Sequence, residues 1–263
     1  FFMISQLKFD DEQANLQYGA TQAFVYAFTF VGGLFADKIL GFRKSLFWGG
    51  LLMIVGSLIL ATNPHDYFFL GISFTVVGTG FFKPNISTMV GKLYKSGDTR
   101  TDAGFSLFYA GINLGALLGG YLCIAIGKGE MLSGLIPEHK RWNVAFGLAA
   151  IVMVVSLINF IFTQRQLGPI GLQPQKLNSD GTFSALAKWN EYSVYILSLV
   201  FVPLIMIMVS VPEYTDYFMW TVGPLTLLYL FYEMTKVTSQ ERKKLWAALI
   251  FIIFSILFWG IYE

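Results

Sequence analysis

Cysteine is almost absent: Cys123 stands alone in an apolar run, so no disulfide can form within the chain and no redox compartment follows. Histidine is nearly as scarce. His65 and His139 fall in separate polar connections with no Cys or His at ligand spacing, so neither a metal nor another cofactor is expected. Charged residues make up only 13% of the chain, the formal net charge is +2 and no block of like charge occurs, which removes nucleic acid as a partner. Gly78-Thr79-Gly80 has no strand before it, so a dinucleotide fingerprint is excluded. No nucleophile with a base and no metal constellation is visible, so an enzyme is not expected.

What is abundant is apolar. Hydrophobic residues make up 55% of 263, with 26 Phe, 13 Tyr and 6 Trp, and the mean hydropathy is +0.60. That composition fits an all-α, polytopic transmembrane bundle with aromatic belts where its spans meet the headgroups. Runs long enough to cross a hydrocarbon core of about 30 Å lie at 16–36, 45–62, 67–91, 104–126, 143–163, 192–211 and 217–235, with another beginning near Leu245. Phe1 to Gln6 reads as the tail of one more, and Phe1 and Glu263 both fall inside apolar runs, so the chain reads as a fragment. Residues 164–190, rich in Gln, Pro, Gly, Asn and Ser, read as a linker.

Basic residues set the orientation. Alternate loops divide into a set with 13 Lys and Arg and a set with 4, namely Lys8, Lys128, Lys140 and Arg141; Lys83, inside a span, completes the 18. The richer set is expected in the cytoplasm, which makes 164–190 a cytoplasmic linker of a membrane protein with lipid around it.

Three charged residues are out of place in lipid. Lys83 lies eight residues, about 12 Å, from the inner end of its run and is followed by Pro84 and Asn85. An ammonium at that depth costs about 2.5 to 3.5 kcal/mol unless it meets a wet cavity or an anion, although snorkelling is an alternative. Pro84 removes a helical hydrogen bond, and broken helices are tolerated where they line a cavity. Glu263 follows Phe258, Trp259 and Gly260 in the last run, where burial would favour its protonated form and suit it to carry a proton; the alternative is an interfacial cap. Asp37 stands at the inner end of a span, where the helix dipole is unfavourable to an acid, with Arg43 and Lys44 close in sequence.

Gly33, Asp37, Gly41, Arg43 and Lys44 match the pattern G-x-x-x-D-x-x-x-G-x-R-K, which resembles the loop motif of the major facilitator superfamily. Phe81-Phe82-Lys83-Pro84-Asn85-Ile86-Ser87 is similar to the F-x-K-P-N-x-S motif of the proton-coupled oligopeptide transporter family. The stretch Phe105 to Ala116, with Asn113, resembles that family's fifth-helix signature, and Phe258-Trp259 before Glu263 its seventh-helix F-W-x-x-x-E. A helix pair at 191–235 matches the bacterial type with two extra helices. The resemblance implies a division into an N-terminal six-helix half (1–163) lacking most of its first helix, the linker 164–190, the hairpin 191–235, and a loop with the start of helix 7 (236–263). The family's E-x-x-E-R motif and helices 8 to 12 lie outside the chain.

The resemblance implies proton-driven import of di- and tripeptides by alternating access. A short peptide presents an ammonium and a carboxylate, so its site needs a cation facing an anion. Lys83 would meet the carboxylate, Glu263 the ammonium, and Asn113 the ammonium or backbone, with Tyr26 and Trp259 as walls. Glu263 and Lys83 would carry the proton coupling, and Asp37, Arg43 and Lys44 the gating. Asn113 as interhelical glue, Tyr26 and Trp259 as packing or belt aromatics, and Gly115 with Gly119 as a packing motif are the readings beside these. Two other functions stand as alternatives: a transporter of nitrate or another small anion, and more remotely a membrane enzyme or receptor.

Overall fold

The computed structural model describes residues 1–95, 97–174 and 185–262, without the side chains at 185–188, 256, 259, 260 and 262. Nine α-helices are present among the described residues: α1 (Phe2–Ser5), α2 (Asp11–Phe35), α3 (Phe42–Thr62), α4 (Phe68–Lys92), α5 (Thr101–Lys128), α6 (Arg141–Thr163), α7 (Ala185–Ser210), α8 (Pro212–Lys236) and α9 (Ser239–Tyr262). Helix accounts for 84% of the described residues, with no strand among them. Among the described residues, five helical stretches are long and apolar enough to cross a membrane: Asp11–Leu40, Phe42–Thr62, Thr101–Lys128, Glu138–Leu167 and Trp189–Ser210. The expected runs at 67–91 and 217–235 are also helical, as α4 and α8, but are not among the five. Lys83, Pro84 and Asn85 dilute α4, and Glu213, Asp216 and Glu233 dilute α8.

Residues 1–215 and 216–263 form two compact units. The first is organised around α4, which lies against both α2 and α3 because glycines let the backbones meet. A Cβ at Gly78 would come within 2.6 Å of the Gly49 carbonyl oxygen on α3, and one at Gly80 within 2.7 Å of the Phe28 carbonyl oxygen on α2. α6 packs on α3 and α5. Near the α3–α4 connection, Phe2, Leu60, Phe68, Ile126, Trp142 and Ala145 form one core cluster. At the other end Ala36, Phe42, Leu46, Met89 and Leu157 form another. Asn143 ties α6 to the end of α3 by donating to the carbonyls of Ala61 (2.9 Å) and Thr62 (3.0 Å).

α7 packs on α4 and α2. Trp48 Nε1 on α3 donates to Ser198 Oγ (2.9 Å), and buried Gln17 on α2 donates through Nε2 to the Ser210 carbonyl (3.0 Å). This helix begins at Ala185 rather than 191, so residues 185–190, read as linker, are helical.

In the second unit α8 and α9 are joined by Arg242 Nε donating to the Met234 carbonyl (2.9 Å) and by Phe231 against Trp246 (6.0 Å). Thr238 and Glu241 cap α9 reciprocally: Glu241 accepts from the Thr238 amide (3.0 Å), and Thr238 Oγ1 accepts from the Glu241 amide (3.4 Å).

Candidate functional site

α4 runs through Pro84 without a break, where interruption was expected. Proline has no N–H for the Gly80 carbonyl four residues back. The backbone holds because polar side chains bond the neighbouring carbonyls: Asn85 Nδ2 donates to Phe81 O (2.6 Å), Ser87 Oγ to Lys83 O (3.3 Å) and Thr88 Oγ1 to Pro84 O (2.9 Å). Asn85 is 1% exposed, so within this turn it serves the helix, whereas its neighbour Lys83 is exposed.

Lys83 projects toward the N-terminal end of α4, the direction that helix geometry gives long side chains. There its Nζ sits 4.5 Å from the centre of the Tyr26 ring on α2. No carboxylate pairs with it among the described residues. The ring supplies its electron-rich face to the ammonium, and Tyr26 is itself 58% exposed. Tyr26 therefore stands on an open flank rather than in packing.

Asn113 occupies the exposed stretch of α5 that also carries Tyr109, Leu117 and Tyr121. Its Nδ2 donates to the Tyr109 carbonyl (3.0 Å), and no hydrogen bond joins it to Lys83 or Tyr26 among the described residues. A Cβ at Gly115 or Gly119 would meet nothing within 4 Å, so this G-x-x-x-G brings no helix close in the structure. Trp259 has its backbone in α9, while its side chain and the whole of Glu263 lie outside the described residues.

The loop-motif residues part company. Asp37 is exposed in a π-helical turn, Ala36–Leu40, that ends at Gly41, whose φ of 75° suits a residue without a side chain. Neither Arg43 nor Lys44 pairs with Asp37. Arg43 Nε donates to the Ile170 carbonyl (2.7 Å), its Nη2 to that of Gly168 (2.6 Å), and its backbone amide to that of Gly171 (2.9 Å). Lys44 pairs with Glu191 at the start of α7 (2.7 Å) and also donates to Gln173 (3.0 Å); Tyr195 donates to the same carboxylate (2.9 Å). The two cations thus strap the segment after α6, and the foot of α7, to the start of α3. Sequence reasoning missed Glu191 and Gln173, because their partner Lys44 lies well over a hundred positions away, and Tyr195, which joins the cluster only through Glu191.

Among the described residues no group of three or more His, Cys, Asp or Glu lies close enough to hold a metal ion.

Residues 43–263 match the model of the POT family. The chain belongs to that family. It is 30% identical to the peptide transporter YePEPT of Yersinia enterocolitica subsp. palearctica over 96% of this chain and 50% of that protein. A di-/tripeptide transporter of Lactococcus lactis subsp. cremoris is 32% identical over 92% of this chain and 48% of its own length. Among solved structures, tetrameric PepTSo2 superposes with a TM-score of 0.77 at 27% identity, covering 95% of this chain and 51% of that one. A peptide transporter POT in complex with sulfate gives 0.70 at 28% identity, covering 100% and 53%. The chain therefore spans about half the length of these relatives. Its fold is of the major facilitator type, and the POT chain is an integral, multi-pass protein of the bacterial inner membrane.

Proposed function

We propose that this chain is the part of a proton-coupled symporter that carries five long helices of the first six-helix half (within 1–163), the linker and two-helix insertion (164–235) and the start of the second half (236–263). The transporter imports di- and tripeptides by alternating access. The observation that carries this reading is Lys83: an ammonium set over Tyr26 on an exposed flank, with no carboxylate paired to it among the described residues. A peptide carboxylate supplies that charge. The relatives named as peptide and di-/tripeptide transporters support the same substrate class.

In this reading Glu263 meets the peptide ammonium, and Asn113 accepts from the ammonium through Oδ1 or turns its Nδ2 from the Tyr109 carbonyl to the peptide backbone. Tyr26 and Trp259 form walls that accept varied side chains because aromatic faces discriminate weakly. Protonation of Glu263 weakens its attraction to the cationic end of the site and lets the halves move, so the coupling ion is H⁺ and no cofactor takes part. Asp37, Arg43 and Lys44 bias the conformational equilibrium.

The test is accumulation of labelled dialanine by the full-length protein in proteoliposomes, with and without an inward-acidic gradient. Wild type should accumulate it only with the gradient, and Lys83→Ala should not accumulate it. Glu263→Gln should retain exchange of dialanine across the membrane but lose gradient-driven accumulation; intact accumulation by that variant would remove the carboxylate from the coupling. The unpaired Lys83 also suits a second reading, transport of nitrate or another small inorganic anion. A protein that moves nitrate, ignores dialanine and still depends on Lys83 would establish that reading instead.

A further inference from the structure

All four basic residues of the less basic loop set, Lys8, Lys128, Lys140 and Arg141, fall in or beside two connections, α1–α2 and α5–α6. These connections border an open cavity of about 540 Å³, with Ser5, Gln6, Lys128, Glu138, His139 and Arg141 as its polar lining. Trp142 closes it beneath Gly127, where a Cβ would come within 2.7 Å of the indole. The Arg141 guanidinium lies over Gly129, so closely that any Cβ there would collide with it. Its Nε is buried and has no hydrogen-bond partner. Lys128 Nζ rests 4.2 Å from the centre of the Phe1 ring, and Glu138, the acid in the lining, forms no ion pair with either cation.

Neither the Arg141 guanidinium nor the Lys128 ammonium has a carboxylate or other polar partner among the described residues, and an oxyanion in the cavity supplies one through the accessible donors. Donors reach the cavity from three directions: the end of α5, the start of α6 and the α1–α2 connection. Such a set suits a tetrahedral oxyanion better than a planar carboxylate, which the arginine fork alone satisfies. We propose that this cavity binds a phosphate group, either inorganic phosphate or the phosphodiester of a phospholipid headgroup. Its place at the helix ends beside Trp142 puts it at headgroup depth.

The purified full-length protein, held in a phosphate-free maltoside detergent, is titrated with sodium phosphate and separately with phosphatidylglycerol. Thermal midpoint is read in both series. Phosphate or phosphatidylglycerol should raise the midpoint of wild type. The concentration needed should increase about tenfold or more in Lys128→Gln and Arg141→Gln, the size expected for one charged hydrogen bond. Arg141→Lys should fall between, and Lys95→Gln, an exposed cation of the opposite loop set, should match wild type. A response to phosphate assigns the site to a free ion, and a response to phosphatidylglycerol alone assigns it to a lipid. Lys128 is exposed, so its variant keeps the test open if Arg141→Gln does not fold. No response to either probe, or an equal loss in Lys95→Gln, would overturn the site.

Discussion

Lys83 shows how one side chain holds its charge with no carboxylate paired to it among the described residues. The four-carbon stem carries the ammonium along α4 to the Tyr26 ring, which holds it without neutralising it. A carboxylate in that place would satisfy the charge, and the ring leaves it available. Tyr26→Leu removes the π face and lets the ammonium wander. If Lys83 meets the peptide carboxylate, the dissociation constant for dialanine should rise roughly two- to thirtyfold, the equivalent of about 0.5 to 2 kcal/mol. Tyr26→Phe keeps the face and should stay within about twofold of wild type by the same reasoning. Calorimetric titration of the full-length protein decides, and unchanged binding in Tyr26→Leu would remove the ring from the site. Lys83 was legible in the sequence because its charge conflicts with its apolar surroundings. Its contact with Tyr26 was not, since both residues were placed as site members without any register between their helices.

At the scale of the element, α4 depends on glycine. Gly78 meets α3 and Gly80 meets α2, and in each case the atom opposite a new Cβ is a backbone carbonyl that cannot swing away. Gly80→Ala should therefore force α2 and α4 apart and cost about 1 to 3 kcal/mol, outweighing the roughly 1 kcal/mol that alanine gains in helix propensity. Gly19→Ala on α2, where a Cβ meets nothing within 4 Å, serves as the control and should be neutral or stabilising. Thermal midpoints of the two variants in one detergent compare them; equal midpoints would mean that the α2–α4 contact is loose. The sequence marked Gly78-Thr79-Gly80 as part of a span and Gly115 and Gly119 as a packing motif. The structure uses the first set for contact and leaves the second open. Spacing along one helix says nothing of what stands opposite, and that explains the difference.

For the whole molecule, the strap from Arg43 and Lys44 to residues 168–173 and Glu191 joins segments that a long connection separates. Under the alternating-access reading, such a strap weights one conformation against another. Lys44 and Glu191 are partly solvated, so their pair contributes modestly. Arg43, with three bonds to one turn when its amide is included, is the stronger holder. Arg43→Gln should shift the ratio of conformations about fivefold or more, as expected for the loss of one or two hydrogen bonds from a charged donor. Asp37→Asn, which breaks no bond to either cation in this structure, should shift it less. Spin-label distance distributions across the two faces of the full-length protein read that ratio. A larger shift in Asp37→Asn than in Arg43→Gln would return the control of the equilibrium to the aspartate.

Composition and hydropathy were enough to determine an all-helical membrane protein, and short motifs were enough to point to its family. Lipid imposes both constraints locally: every span must satisfy its own backbone hydrogen bonds and present an apolar surface. Lys83 and Glu263 were visible for the same reason, as charges within apolar runs, and Asp37 as an acid at the unfavourable end of a helix dipole. Tertiary structure alone decided that α4 stays continuous through Pro84, that Arg43 and Lys44 turn from Asp37 to the segment after α6, and that Lys128, His139 and Arg141 line one cavity. Each of these outcomes depends on atoms brought together by the crossing of helices. A helix crossing is set by side-chain volume on both partners at once, which no single stretch of sequence contains.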